Sequence, residues 1–320
     1  MKILVLSSRP REPDNHLLWE GLAQHADVDV RYVDKTQQKE LGVLLDSLDF
    51  ALYDRVVLDL LFRYVRLHAR RLSRVPGLVF YEEDACQEFI PASRWCGKFS
   101  AFYRKVPHAR VFFTGHRVAK QFEAMGVDAQ FLAKGYNRSS LYVQNVPRDI
   151  ELGFIGRLGS DAYQERRQFL KGIEATCGLQ IMRTEPGAAY CEALNRIRFF
   201  VSADIGLGEY MAKNFEAMAC GCLLFAYRQG GGEEQALGLE DGVNVLLFDD
   251  QQTFLARLAQ ARDDAQWAGQ IAARGAQFAR EHLDYYSQSD RFYQLLSVPM
   301  TRSFKLSYFK KVIRAIIGRK

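Results

Sequence analysis

The residues best suited to chemistry lie in Tyr210-Met-Ala-Lys-Asn-Phe-Glu-Ala-Met-Ala-Cys-Gly221, which runs into the apolar stretch 223–226. The pattern predicts a polar loop entering a short helix whose first turn carries Lys213, Asn214 and Glu216. Exposed amides at such a helix start, with a lysine beside them, suit an anion such as a diphosphate. A fixed carboxylate one turn further in suits the paired hydroxyls of a ribose. The same spacing also fits an amphipathic helix with Glu216 in solvent. Downstream, Gln229-Gly-Gly-Gly-Glu-Glu234 follows a predicted strand. Its glycines let the main chain approach a ligand closely or turn with positive φ, unless the segment is only a surface turn. Upstream, Leu152-Gly-Phe-Ile-Gly-Arg157-Leu-Gly159 reads as a strand ending in an arginine whose forked donor suits phosphate oxygens. Arg166 and Arg167 follow on the next predicted helix, where surface ion pairing is their other use. The G-x-G-x-x-G pattern of a dinucleotide fold is missing.

In the first half, Tyr81-Glu82-Glu83-Asp84 follows a predicted strand. Asp84 or Glu83 is placed there to act as a base toward a hydroxyl or to stabilise charge, although acidic strand-end loops are often merely solvated. His116 opens a helix after Thr114-Gly115, as a second catalytic candidate or as a helix cap. The loop 7–15, with Arg9, Arg11 and then His16, offers groups for a phosphorylated or lipid-linked acceptor. The six cysteines include no C-x-x-C pair and no zinc-ligand spacing. Cys220-Gly-Cys222 therefore reads as small buried residues, with all thiols reduced. No acidic metal motif ends a strand in the second half, where Asp249-Asp250 precedes a polar helix start. No metal is expected.

Positioning these groups requires two layered domains. Short β-type runs at 3–6, 28–33, 55–60, 78–81, 111–114 and 130–132 alternate with helical patterns at 16–25, 61–72 and 116–125. The polar segment 134–149, with Gly135 and Pro147, breaks the alternation and reads as a link. Strands at 150–155, 179–182, 199–202, 223–226 and 245–248 follow, a helix being expected over 163–176 and throughout 253–296. Alternation of this kind predicts an α/β chain of two Rossmann-like, doubly wound parallel-sheet domains with a C-terminal helical segment. The expected units are residues 1–148 on the acceptor side, 149–297 on the donor side, and a tail at 298–320. Ligand belongs in the cleft between them, at the carboxyl ends of the strands.

The ordered set resembles the C-terminal domain of group 1 GT-B glycosyltransferases, most of all the short variant of the spore-maturation type. The matching residues are FIGRL (154–158), KNFEAMACG (213–221), Gly230, Gly231 and Glu234, DGVNVLLF (241–248), and the pattern from Ile271-Ala-Ala-Arg-Gly275 through Tyr286. The resemblance covers residues 150–295. It implies that Glu216 holds the donor ribose, that Arg157 and Lys213 face the diphosphate, and that the 230–234 loop lies over the donor sugar; Arg166 and Asn214 are read from their own positions as further donor-binding residues. The large retaining families carry a further glutamate eight positions before the one at 216. Here that position is Gly208, with Glu209 one step late.

Bulk properties narrow the partners. A chain of 320 residues with 48% hydrophobic and 25% charged content buries an ample core. The opening MKILVLSSRP reads as a strand rather than a signal peptide, and no run is long enough to span a bilayer, so the expected location is the cytoplasm. Residues 301–320 hold seven of the 43 basic residues and no acid, leaving 36 basic against 38 acidic residues in the body. A near-neutral body argues against nucleic acid as partner. As a helix, the tail would be amphipathic and basic, suited to an anionic membrane surface or to packing back on the first domain. The reading is therefore a metal-independent, retaining transferase. It would move a hexose-like unit from a nucleoside diphosphate sugar to a hydroxyl of a surface glycan or lipid-linked acceptor. Lipopolysaccharide core or an envelope polysaccharide is the first expectation. A sugar-nucleotide isomerase and a non-catalytic binding protein on the same fold are the competitors.

Overall fold

Runs rich in Val, Ile, Leu and Phe, buried along nearly their whole length away from the sheet edges, form strands of the kind that parallel sheets cover on both faces. The computed structural model of the chain describes residues 1–159 and 164–300. Its first sheet comprises β1 (Lys2–Ser8), β2 (Asp27–Val33), β3 (Arg55–Asp59), β4 (Leu78–Glu82), β5 (Arg110–Phe113) and β6 (Asp128–Phe131). The second comprises β7 (Ile150–Ile155), β8 (Gln180–Met182), β9 (Ile197–Ser202), β10 (Leu223–Tyr227) and β11 (Leu246–Phe248). Strand order is β2-β1-β3-β4-β5-β6 in one and β11-β10-β9-β7-β8 in the other. Every ladder between these strands is parallel. The order reverses beside β1 and beside β7, and the crevices outside those strand ends are where doubly wound sheets bind ligands. The α/β, doubly wound, two-sheet architecture is thus the expected one.

The expected helix at 61–72 is interrupted. Phe62–Val65 and Ala69–Leu72 are separated by a 3-10 turn at Arg66–His68, where His68 leaves helical dihedrals at φ −113 and ψ 21. The first helix starts earlier than 16, at Glu12–Leu22, because Pro13 in its opening turn needs no N–H partner there. All six cysteines are free, and Cys220 and Cys222 are buried. Among the described residues no helix is long and apolar enough to cross a membrane. The basic tail at 301–320 lies outside the described residues.

The N-terminal sheet is covered on one face by Leu41–Asp46, Lys98–Tyr103 and His116–Ala124, with Phe99, Phe102 and Phe122 in the core beneath them. Its other face is closed by Glu12–Leu22 together with the last helix, Tyr285–Ser297. Phe292 packs edge-on against Phe112 at 4.6 Å and tilts against Trp19 at 5.9 Å. Burying Phe292 and Leu296 contributes about 1.5–3 kcal/mol each. Helix meets helix at Gly21, where an added Cβ would lie 2.2 Å from the Ser289 hydroxyl. Arg110, fully buried between β4 and β6, grips Asp128 and donates to the Leu295 and Val298 carbonyls at 2.7 and 2.9 Å. The two chain crossings between the sheets touch. Tyr136 N–H donates to Leu283 O at 3.2 Å, and Tyr285 N–H donates to Tyr136 O at 3.1 Å.

Candidate functional site

Behind β9 the chain enters a loop organised by one buried carboxylate. Asp204 accepts from the Met211 amide at 3.0 Å and the Asn214 amide group at 2.7 Å, and pairs with the Arg166 guanidinium. Burial works against its charge, but Arg166, Lys213 and these donors outweigh it and hold Asp204 below the usual carboxylate range. Met211 then adopts extended dihedrals, and the helix Ala212–Ala219 begins.

That helix presents Lys213 and Glu216 to a cleft of about 560 Å³ between the sheets. Gly156, at the end of β7, gives Lys213 its room, since a Cβ there would sit 2.5 Å from the ammonium. The ammonium lies 4.8 Å over the Phe154 ring. Burial, reinforced by Arg166, pushes the Lys213 pKa down to about 8. Glu216 Oε2 accepts the Tyr190 hydroxyl at 2.5 Å. Burial raises its pKa to about 7, against the pull of Tyr190. Arg157, after β7, and Arg183, after β8, stand exposed on the same wall. No ion pair to Arg157, Arg183 or Lys213 occurs among the described residues.

The opposite wall comes from the N-terminal sheet and carries Asp14, Glu83, Asp84 and Lys134. Arg11 bridges Asp59 at 2.5 Å and Glu83. Asp59, fully buried, also accepts from Ser7 and Asn15 at 2.7 Å each, and burial lifts its pKa to about 6 despite Arg11. Tyr285, from the returning helix, donates to Glu83 at 3.3 Å. Burial followed by Glu83 raises the Asp14 pKa, and burial opposed by Lys134 raises that of Asp84. Lys134 is buried on Glu209, 2.9 Å away, and although burial opposes its charge Glu209 keeps its pKa raised.

The structure therefore brings Arg157, Arg166, Lys213, Glu216 and Asp84 to one cleft. Arg166 reaches it with its guanidinium on Asp204 and the Ala203 carbonyl. The other candidates sit elsewhere. Asn214 is turned inward, bonded to Asp204 and to the Met211 carbonyl at 2.7 Å. His116 packs edge-on against Phe131 at 5.5 Å, outside the cleft wall, and burial lowers its pKa. Gly230 and Gly231, both with positive φ, lie in a loop drawn onto the N-terminal domain. There Glu233 accepts the Arg117 amide at 2.8 Å, and Arg117 donates to Gln229 O at 3.2 Å. Glu234 ties the same loop internally, accepting from Tyr210 at 2.8 Å and Gln229 N at 2.6 Å. Glu209, the displaced acid, faces Lys134 and Thr114 across the domain boundary rather than the cleft.

Sequence reasoning missed Asp14, Lys134, Arg183 and Tyr190. Arg183 carried a usable signal, since it directly follows a strand on the same end of the sheet as Arg157. Among the described residues no three His, Cys, Asp or Glu side chains converge as a metal site.

Residues 149–297 match the family model described as Glycosyl transferase-like. No curated protein matches the chain in sequence. Among solved structures, the Anabaena protein HepE in complex with UDP-glucose superposes with a TM-score of 0.65 at 15% identity, covering 93% of this chain and 99% of that one. Sucrose-phosphate synthase from Thermosynechococcus elongatus gives 0.63 at 13% identity, covering 98% and 100%. The T4 phage enzyme BGT, in complex with UDP and Mn2+, gives 0.57 at 9% identity, covering 93% and 100%.

Proposed function

From a chain that has the GT-B fold and a C-terminal half of the glycosyl transferase-like family, we propose that the cleft transfers a hexose-like unit from a nucleoside diphosphate sugar to a hydroxyl of a surface glycan. The carrying observation is that Lys213, Arg157 and Arg183, free of ion pairs among the described residues, share one wall with Glu216 and face carboxylates on the other. The donor diphosphate lies against Lys213 and Arg157, and the ribose hydroxyls reach the Glu216 oxygen not taken by Tyr190. As the sugar leaves, negative charge grows on the diphosphate, and preorganised cations in a partly dry site stabilise it. This positive wall supplies the compensation that a metal gives in other transferases, so turnover is metal-independent. The Mn2+ recorded with BGT makes EDTA the direct check, and loss of turnover would reject that part. The group 1 resemblance supports retention of configuration, with Asp84 stabilising charge on the acceptor side. Asn214, Arg166 and Glu234 hold the loops that shape the donor site, and His116 supports the 230–234 loop from the N-terminal side.

Lipopolysaccharide core or an envelope polysaccharide is the acceptor class. The basic segment 301–320 brings the enzyme to the cytoplasmic face of the membrane, and liposome co-sedimentation unchanged by its deletion would dismiss this. UDP-glucose, the ligand recorded with HepE, is the first donor to try. At a hundredfold excess over its Kd a true donor adds about 2.7 kcal/mol to unfolding stability. A panel of UDP, GDP and ADP sugars that leaves the melting temperature unmoved would overturn the reading.

A further inference from the structure

Beside Glu216 the main cleft opens into a second chamber of about 100 Å³, with Asp14, Glu83 and Glu216 common to both. The chamber is much smaller than the cleft of about 560 Å³ beside it, and so suits a substituent of a sugar that lies in that cleft. Asn15 lines it, is only 1% exposed, and gives its amide group to Asp59 at 2.7 Å. Its carbonyl oxygen Oδ1 is buried with no partner among the described residues. An unpaired buried acceptor is destabilising, and a hydrogen-bond donor relieves it.

The charges around that oxygen point the same way. Among the described residues Arg11 is the one cation lining the chamber, and Asp59 and Glu83 occupy its guanidinium. Asp14 has no ion pair among the described residues and is raised in pKa by burial and by Glu83. Lys134, on the adjoining cleft wall, is paired with Glu209. A phosphate entering here would meet Asp14, Glu83 and Glu216, and among the described residues lining the chamber no uncommitted cation offsets that repulsion. An ammonium brings three donors and no acceptor, matching Asn15 Oδ1 and the Asp14 and Glu83 carboxylates.

We infer that this chamber is the acceptor subsite and that it selects an acceptor sugar bearing a protonated amino group over one bearing a phosphate. The amino group binds and does not react. This rests on the transferase reading, because it takes the adjoining cleft to hold the sugar nucleotide.

The test is calorimetric titration of the full chain, first with UDP and then, with UDP bound, with glucosamine, glucose and glucose 6-phosphate. Glucosamine is expected to bind at least about tenfold more tightly than glucose 6-phosphate, a ratio equal to a single favourable charge contact, with glucose between them. Asp14→Asn should shrink that ratio to about threefold or less, a cooperative melt showing that the variant folds. Equal or tighter binding of glucose 6-phosphate, or no binding of glucosamine to the UDP-loaded protein, would overturn the inference. Absence of UDP binding would instead bring down the transferase reading, and the order of the three sugars can still be measured on the unliganded chain.

Discussion

On the C-terminal wall of the cleft, Arg157, Arg183 and Lys213 carry positive charge with no carboxylate paired to any of them among the described residues. On the N-terminal wall, Arg11 and Lys134 are spent on Asp59, Glu83 and Glu209, while Asp14 and Asp84 have no ion pair there. Both walls contain cations, so counting basic residues does not distinguish them. What distinguishes them is whether each charge is already answered within the fold. Unanswered charge held in a crevice is costly in the empty protein and available to a ligand, whereas answered charge is frame. One wall is thus prepared for an anion and the other for hydrogen-bond donors.

The largest expected effect comes from removing an unanswered charge. Lys213→Met should lower kcat/KM with UDP-glucose about 10²–10³-fold, the usual loss for one preorganised group facing developing negative charge. Steady-state kinetics would read it, and a change under threefold would mean that the basic wall is not where the diphosphate sits. Disturbing the other wall from behind should give a different signature. Gly21→Ala forces the first helix away from Ser289, and overpacking of this kind costs about 1–3 kcal/mol of stability. Denaturant unfolding should show that loss while UDP affinity stays the same, because the returning helix supports Glu83 and not Lys213.

A pH titration sharpens the contrast further. Glu216, raised to about 7, must lose its proton to accept both ribose hydroxyls, and Lys213, lowered to about 8, must keep its own to meet the diphosphate. UDP affinity should therefore climb as pH rises to about 7 and decline above about 8, each limb approaching about tenfold per unit. Glu216→Gln should flatten the acid limb and Lys213→Arg the alkaline one. A flat profile in the parent protein would disconnect both groups from the nucleotide. Without ligand, the raised pKa values of Glu216 and of Glu82 and Glu233 (each about 8) favour the folded state fully below about pH 4.5. That contribution is lost as pH rises through 7 to 8, so the melting temperature should drift down over that window. The smallest effect is on the acceptor side. Asp84→Asn should reduce kcat about tenfold, a loss near 1.4 kcal/mol, with UDP affinity unchanged by calorimetry.

The strands were legible because buried parallel strands are written as continuous apolar runs, and 150–155 matches β7 residue for residue. The pairing of Lys213 with Glu216 was legible for a similar reason, since residues three apart share a helix face. The same rule places Asn214, two positions before Glu216, on another side, and it indeed turns inward to Asp204. That signal was present and unread. Lys134 offered none, because its partner Glu209 lies 75 positions away on the other domain, and nothing local marks a polar linker lysine as buried. Tyr190 is similar, being one more aromatic residue in a helix until the fold brings it to Glu216.

The return of Tyr285–Ser297 to the first sheet has a consequence for synthesis. The half that leaves the ribosome first is the half that is finished last. Until the helix Tyr285–Ser297 emerges, Trp19, Val57, Tyr81 and Phe112 lack the Phe292 and Leu296 that seal their layer, while the C-terminal half has almost all of its own core in hand. Nascent chains are generally expected to mature from the amino end, and here the order runs the other way. A chain released early, before residue 285, would leave an apolar sheet face bare to aggregation or to a chaperone.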